Sequence, residues 1–148
     1  MDNHNLKADL IKQLMALEAT EKTIKITAPT QILPFIEKYR NRKQEEFIVI
    51  TLNGGHEVIR VRSISKGLIN RTLVHPREVY RMAIKDNAAA IILTHNHPSG
   101  NFTPSHEDIE LTKRMISAGK IIGIEVLDHI VIARRGYYSF LEEGKLDV

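Results

Sequence analysis

The sequence contains no cysteine. That absence excludes a disulfide framework, a Cys-ligated zinc or iron–sulfur site and a thiol nucleophile, and it suits a reducing compartment. Any metal must therefore sit on histidines and carboxylates. Long apolar runs are missing too: the longest is Ala88–Leu93, far short of the roughly 20 residues a helix needs to cross a bilayer, so no membrane association is expected. The polar start, Met1–Ala8, has neither the apolar core nor the cleavage site of a secretory signal, which points to the cytoplasm. Internal repeats and low-complexity linkers are also absent.

What is present is ordinary globular composition: 148 residues, 43% hydrophobic and 26% charged. A chain of this size can bury roughly two-thirds of its unfolded surface, enough for a core without covalent staples. The net charge is +3, from 21 Lys and Arg against 18 Asp and Glu, but it is uneven. Residues 37–86 carry eleven basic and six acidic side chains, so this segment is +5 and the remainder −2. Such a patch can touch nucleic acid, although a solvated face is the commoner explanation.

Leu6, Leu10, Leu14 and Leu17 recur at three- and four-residue spacing, the stripe of an amphipathic helix that Asp2 or Asn3 can cap. That stripe needs a partner surface, either the main body or a second copy of the chain. Thr23–Thr27 alternates as a short strand, and Pro29 opens a helix to about Tyr39 whose start Pro34 makes irregular. Phe47–Leu52 and Val58–Val61 flank Gly54-Gly55 and read as a hairpin. Pro76 starts a helix ending near Asn87, Ala88–Leu93 is a strand buried on both faces, and Thr103-Pro104 starts a helix closed by Gly119. Ile121–Leu127 and Ile130–Ala133 supply two more strands. The intermixing predicts an α/β or α+β domain with a mixed sheet and helices packed on it.

The chemistry concentrates between Thr94 and Asp108. Side chains alternate along an extended chain, so His95 and His97 project to one side at the end of the buried strand. Asp108 falls in the first turns of the following helix, where the dipole favours a carboxylate. Two His and one carboxylate leave a fourth tetrahedral position for water, the arrangement of catalytic zinc. Ser105, three residues before Asp108, can donate a hydrogen bond into that position. Each part has a plainer reading: the His pair can be two polar residues at a strand end, and Ser105 with Asp108 can be a capping box. The joint pattern is far less expected by accident.

That segment resembles the JAB/MPN (JAMM) metalloprotease-like domains, whose signature is an upstream glutamate, His-x-His, seven residues, then Ser-x-x-Asp. More narrowly it is similar to the RadC proteins, once described as DNA repair factors. The words Val74-His75-Pro76-Arg77-Glu78, His95-Asn96-His97-Pro98-Ser99-Gly100, Thr103-Pro104-Ser105 and Leu127-Asp128-His129 carry the resemblance, which runs from about Gln44 to Leu146. It implies a curved mixed sheet flanked by helices, related to the cytidine deaminase architecture. It also implies that His95, His97 and Asp108 are zinc ligands and that Ser105 helps hold the tetrahedral intermediate. The upstream glutamate is Glu45 or Glu46; the family's Glu-x-Phe pattern selects Glu45, two residues before Phe47, and alternation puts Glu46 on the opposite face. Glu45 is then the general base that takes a proton from the attacking water and passes it to the leaving amine. Both glutamates being merely solvated is the plainer alternative.

His75 is expected to cap its helix; Asp128 and His129 could support the metal ligands from behind, but alternation faces these neighbours apart, so structural roles are expected of them. His4, His56 and His106 lack convincing partners. The string His95-Asn96-His97 is not the dispersed HNH nuclease signature, and a zinc deaminase would need Cys ligands. RadC proteins usually carry a helix-hairpin-helix region ahead of the metal domain. Here only residues 1–22 precede residues 23–148, which weakens the DNA connection and leaves an N-terminal amphipathic helix as a homodimer or partner surface. The expectation is a zinc-dependent peptidase or isopeptidase acting on a protein or peptide substrate. A DNA-associated factor with weak, salt-sensitive binding and a non-catalytic scaffold are the alternatives, and the intact metal pattern argues against the scaffold.

Overall fold

The computed structural model describes residues 6–14, 24–67 and 74–146. Five strands form one mixed sheet: Glu46–Leu52 (β1), Val58–Lys66 (β2), Ala90–His97 (β3), Glu125–Ala133 (β4) and Gly136–Ser139 (β5). Their spatial order is β2-β1-β3-β4-β5. β1 pairs antiparallel with β2 and β3, β3 pairs parallel with β4, and β4 pairs antiparallel with β5. A parallel pair needs a crossover. The helix His106–Ile122 (α2) supplies it; the helix Pro76–Lys85 (α1) lies beside α2.

Strand alternation divides the core into two layers. Phe47 and Val49 of β1 and Ile91 and Leu93 of β3 pack under Val79, Tyr80 and Ala83 of α1 and Leu111 and Met115 of α2. On the other face, Ile48, Ile50, Ile92, Ile130 and Ile132 meet Ile32, Ile36 and Tyr39. Those last three belong to a succession of short turns over Pro29–Tyr39, two of them 3-10, in place of one regular helix. Pro34, with no amide hydrogen, accounts for that irregularity.

Several boundaries differ from the sequence expectation. Thr27 lies in no strand, and residues 24–26 form an isolated bridge, Lys25 to Glu57, held by the Ile26 amide donating to the His56 carbonyl and the Val58 amide donating to the Ile24 carbonyl. β2 runs past Val61 to Lys66. β3 does not stop at Leu93 but includes Thr94, His95 and Asn96, all fully buried. The Thr94 hydroxyl donates to the Ile130 carbonyl, and Asn96 accepts from the Glu46 amide and donates to the Gln44 carbonyl. Partnered polar groups can stay inside. α2 starts after Ser105, because Thr103 belongs to a turn in which its amide donates to the Asn101 side chain. Gly123 closes that helix at φ 88°, while Gly119 lies inside it. A Cβ at Gly119 would meet the Tyr80 hydroxyl and the Ile124 carbonyl at 2.5 and 2.4 Å, so close packing requires glycine there. β4 is one strand spanning Asp128 and His129, and β5 was not expected at all.

Residues 6–14 are helical, and Leu6, Leu10, Ile11 and Leu14 are all more than half exposed. Asp2, Asn3, His4, Leu17 and Thr23 lie outside the described residues. No helix among the described residues is long and apolar enough to cross a membrane.

Candidate metal centre

The site is built where β3 ends and α2 begins. Antiparallel register sets Phe47 of β1 opposite His95 of β3, and Glu45 immediately precedes β1, two residues before Phe47. Phe47, His95 and His97 share the α1/α2 face, and the charge of Glu45 reaches His97. Phe47 stacks on the His95 ring at a centroid distance of 5.9 Å, fixing the imidazole plane. Glu46 faces the other way. It is buried, ion-paired with Arg42 at 2.7 Å and hydrogen-bonded by Ser63 at 3.1 Å, so it is neither solvated nor at the metal centre.

The carboxylate arrives from α2 through its cap. The Ser105 hydroxyl accepts the Asp108 amide at 3.1 Å, and Asp108 Oδ2 accepts the Ser105 amide at 2.8 Å. This reciprocal pair is the capping box foreseen as the plainer role of Ser105 and Asp108. It also aims Asp108 at the strand end. Asp108 Oδ1 lies 3.2 Å from His95 Nε2 and Oδ2 lies 3.1 Å from His97 Nε2, while the two Nε2 atoms are 3.0 Å apart. Capping uses the acceptor side of the Ser105 oxygen and leaves its proton free to donate.

The surroundings hold this convergence. His97 Nδ1 is 3.0 Å from the Asn101 carbonyl, in the loop ahead of α2. His95 is fully buried, with Nδ1 2.8 Å from His129 Nε2; His129 Nδ1 in turn lies 2.6 Å from the Thr112 hydroxyl. Parallel register pairs His129 with Leu93, and so turns it to the same face as His95. Asp128 takes the other face, where the Ser139 hydroxyl and the Leu141 amide donate to it. Alternation was read correctly for this pair. His129 takes the alternative to a purely structural role, because it touches the candidate ligand His95.

Burial lowers the His97 pKa, but the hydrogen bond to Asp108, the Asn101 carbonyl and the charges of Asp108 and Glu45 outweigh it and leave the net shift upward. Glu45 is thus close enough for its charge to be felt at His97. For Asp108, burial pushes upward, but hydrogen bonds from His95 and His97 dominate and hold the carboxyl far below its ordinary range. Burial drives His129 well below the usual imidazole value.

Two imidazole nitrogens and a carboxylate aimed at one point make a donor set for a divalent cation. Zinc, with bonds of about 2.0–2.1 Å in a tetrahedral arrangement, sets its donors roughly 3.3 Å apart. The observed 3.0–3.2 Å separations fit that size. Among the described residues, His95, His97 and Asp108 are the one group of three His or acidic side chains that converges in this way. His75 caps α1, its Nδ1 accepting the Arg77 amide at 3.1 Å, as expected. His56 takes a left-handed backbone conformation in the β1–β2 turn, and His106 is exposed on α2.

Known proteins agree with this architecture. Residues 26–145 match the family model described as RadC-like JAB domain. The chain is 46% identical over 127 residues to a UPF0758 protein of Pelobacter propionicus, covering 85% of this chain and 56% of that protein. It is 46% identical over 134 residues to a UPF0758 protein of Symbiobacterium thermophilum, covering 90% and 57%. A UPF0758 protein of Methanospirillum hungatei is 52% identical over 130 residues, covering 86% and 58%. The chain therefore spans between half and two-thirds of the length of these relatives. With the family model matching most of the chain and the sheet, helices and side-chain convergence all in place, the chain belongs to the RadC-like JAB domain family.

Proposed function

We propose that the domain is a zinc-dependent hydrolase of amide or isopeptide bonds in a protein or peptide substrate. The observation that supports this reading is the convergence of His95 Nε2 and His97 Nε2, 3.0 Å apart, with the two Asp108 carboxylate oxygens, Oδ1 3.2 Å from the first and Oδ2 3.1 Å from the second, and with the charge of Glu45 felt at His97. His95, His97 and Asp108 would hold the ion. A zinc ion held this way supplies Lewis acidity and brings the pKa of water to about 7. Glu45, whose charge is felt at His97, takes the proton of the attacking water and delivers it to the departing amine. Ser105, its acceptor side occupied by the α2 cap, donates its hydroxyl proton to the carbonyl oxygen as negative charge develops there. Asn101 and His129 orient the two imidazoles.

Elemental analysis and a panel of amide and isopeptide substrates test this together. The wild-type protein should carry about one zinc per chain, and the double variant His95→Ala, His97→Ala should carry none. Glu45→Gln keeps the side-chain size and removes its basicity. It should retain zinc and lose roughly 10²- to 10⁴-fold in turnover. Zinc content that survives loss of both histidines overturns the ligand assignment, and full turnover in Glu45→Gln overturns the general-base assignment.

A further inference from the structure

The positive segment of the sequence opens on Lys38, Arg40, Arg42 and Lys43, and no part of the metal centre uses that charge. Arg40 and Arg42 line a groove of about 320 Å³ together with Asn41, Pro98 and Arg134. The sheet sets its place. Parallel register pairs His97 of β3 with Ala133 of β4, so Pro98 and Arg134 are the next residue along each chain. Arg42 stands three residues before Glu45, ahead of β1. The groove therefore opens beyond the strand ends that carry His97, the carboxyl ends of a parallel pair, where ligands commonly bind in open α/β sheets.

The three guanidiniums have different tasks. Arg40 is committed within the chain: Nε and Nη2 hold Glu37 at 2.9 and 2.7 Å, and Nη1 donates to the Ala133 and Gly136 carbonyls at 2.6 and 3.0 Å. It ties the segment before β1 to the β4–β5 turn and so fixes the two walls against each other. Arg42 lies over the Tyr39 ring, 4.5 Å from its centroid, and gives one bond, from Nη1 to Glu46 at 2.7 Å. A guanidinium has five N–H donors, so most of those on Arg42 remain for a ligand. Arg134 is exposed, and among the described residues its guanidinium has no hydrogen-bond or acidic partner. It lies against Gly100, where a Cβ would meet Nη2, Cζ and Nε at 3.1 to 3.5 Å, so packing on the loop after His97 places it. Glu37 and Glu46 answer the other two arginines, which leaves the charge of Arg134 uncompensated.

We propose that this groove is a subsite for a carboxylate of the substrate chain, held between Arg134 and Arg42; this rests on reading the metal centre as an amide hydrolase. The carboxylate belongs to an Asp or Glu side chain or to a chain terminus. Adjacent strands lie about 4.8 Å apart and an extended residue advances about 3.3 Å, which puts that carboxylate roughly one or two residues from the amide at the metal centre. Two forked guanidiniums lining one concavity match a planar anion with two oxygens. They match a nucleic-acid backbone poorly, because tracking successive phosphates takes a row of uncommitted cations, and here Glu37 and Glu46 stand among them.

NMR of the arginine Nε–H signals tests binding in the full chain, both metal-free and zinc-loaded. The probes are acetyl-Gly-Glu-Gly-amide, its Gln and Lys counterparts, the free acid acetyl-Gly-Gly-Gly and a single-stranded oligothymidylate. In both metal states the Glu peptide should move the Arg42 and Arg134 signals and bind about tenfold more tightly than the Gln peptide. Arg134→Gln should abolish that preference without lowering thermal stability, since its guanidinium has no hydrogen bond to lose, and Arg134→Glu should reverse it in favour of the Lys peptide. Tighter binding of the free acid than of the Glu peptide supports the subsite and identifies a chain terminus as its ligand. Equal binding of the Glu and Gln peptides, or tighter binding of the oligothymidylate than of either acid, overturns the subsite. On amide substrates, the ratio of kcat/KM for acidic over neutral sequences should fall about tenfold in Arg134→Gln. If amides are cleaved with no preference for a nearby carboxylate, the subsite is wrong and the hydrolase reading stands. If no amide is cleaved but the Glu peptide binds through Arg134, the hydrolase reading fails and the carboxylate site stands.

Discussion

Two aspartates with buried side chains stand at opposite ends of the same β1–β3 pair, and their surroundings differ. Asp86, at the C-terminus of α1, accepts hydrogen bonds from the Arg62 guanidinium and the Thr51 hydroxyl, with Arg60 at 3.7 Å. Asp108, at the N-terminus of α2, faces two imidazoles. Both carboxyls lie below their ordinary range. For Asp86 the Arg62 hydrogen bond is the leading cause; for Asp108 burial opposes the shift, and the bonds to His95 and His97 override it. A guanidinium carries a permanent charge and closes the balance within the chain. An imidazole carries no permanent charge and can give up a proton to a metal ion instead. The comparison teaches that a buried carboxylate answered by arginine is a structural tie, whereas one answered by two imidazoles, which can exchange a proton for a metal, is a place for an external cation.

The sharpest way to break that comparison is to neutralise each carboxylate in turn. Asp108→Asn keeps an acceptor for the Ser105 amide, so α2 should stay capped and thermal stability should change little. Zinc affinity should fall by more than the roughly 10- to 100-fold that outer partners contribute. Asp86→Asn should do the reverse, retaining zinc while losing about 1.5–3 kcal/mol, the range for hydrogen bonds to charged groups. In a domain of this size that is roughly 2–4 °C in Tm for each kcal/mol. Metal titration and thermal melts on both variants read the crossing; a pair of variants that lose the same property sinks the distinction.

The two ends were not equally legible in the sequence. His95, His97, Ser105 and Asp108 lie within fourteen residues, so strand alternation and one helical turn suffice to bring them together. Arg62 and Asp86 meet across β2, β1 and α1, a contact that only the register of the sheet creates. His129 and Thr112 are of the same long-range kind. One faint signal existed, since Thr112 follows Asp108 by four residues and shares its helix face, and His129 is the lone imidazole within the apolar run of β4. The early end assigned to β3 has the same origin. Thr94, His95 and Asn96 look like a surface boundary until their partners on β4 and ahead of β1 are known. β5 escaped because Arg134-Arg135 gave no apolar signal for the hairpin that returns Gly136–Ser139 to the sheet.

Acid titration sharpens the contrast further. A carboxyl depressed in the folded state contributes stability that is fully present above its unfolded pKa, about 3.9, and is lost as pH falls through the folded value. The stability gap between wild type and Asp86→Asn should therefore be constant above about pH 5 and shrink below pH 4. Asp128 has the opposite sign: burial raises its carboxyl, so its ionisation opposes folding and acid relieves it. Urea midpoints at successive pH values separate the two. A gap for Asp86→Asn that widens in acid would remove the Arg62 explanation.

Glu46 extends the structural side of the comparison with a smaller effect. Its carboxylate is buried against Arg42, whose side chain is 42% exposed, so solvent screening reduces what the pair contributes. Glu46→Gln should cost about 1 kcal/mol and leave zinc content unchanged. Loss of turnover with zinc retained in this variant would place Glu46, not Glu45, on the α1/α2 face.

Ser105 joins both kinds of region in one side chain, and its effect on stability should be the smallest. As the N-cap of α2 it accepts the Asp108 amide; in the proposed reaction it donates its proton to the substrate oxygen. Two substitutions separate the jobs. Alanine at an N-cap costs about 1 kcal/mol, whereas glycine costs only a few tenths. Neither supplies a hydroxyl, and removal of one donor to a developing oxyanion typically costs about 10²- to 10³-fold in turnover. Ser105→Gly should therefore melt close to wild type and Ser105→Ala a few degrees lower, with turnover reduced equally in both. Equal turnover despite unequal stability assigns the loss to the missing proton donor. If turnover instead follows stability, with Ser105→Gly nearly as active as wild type, then Ser105 serves only to aim Asp108 through the cap, and the developing oxyanion must be met by another group.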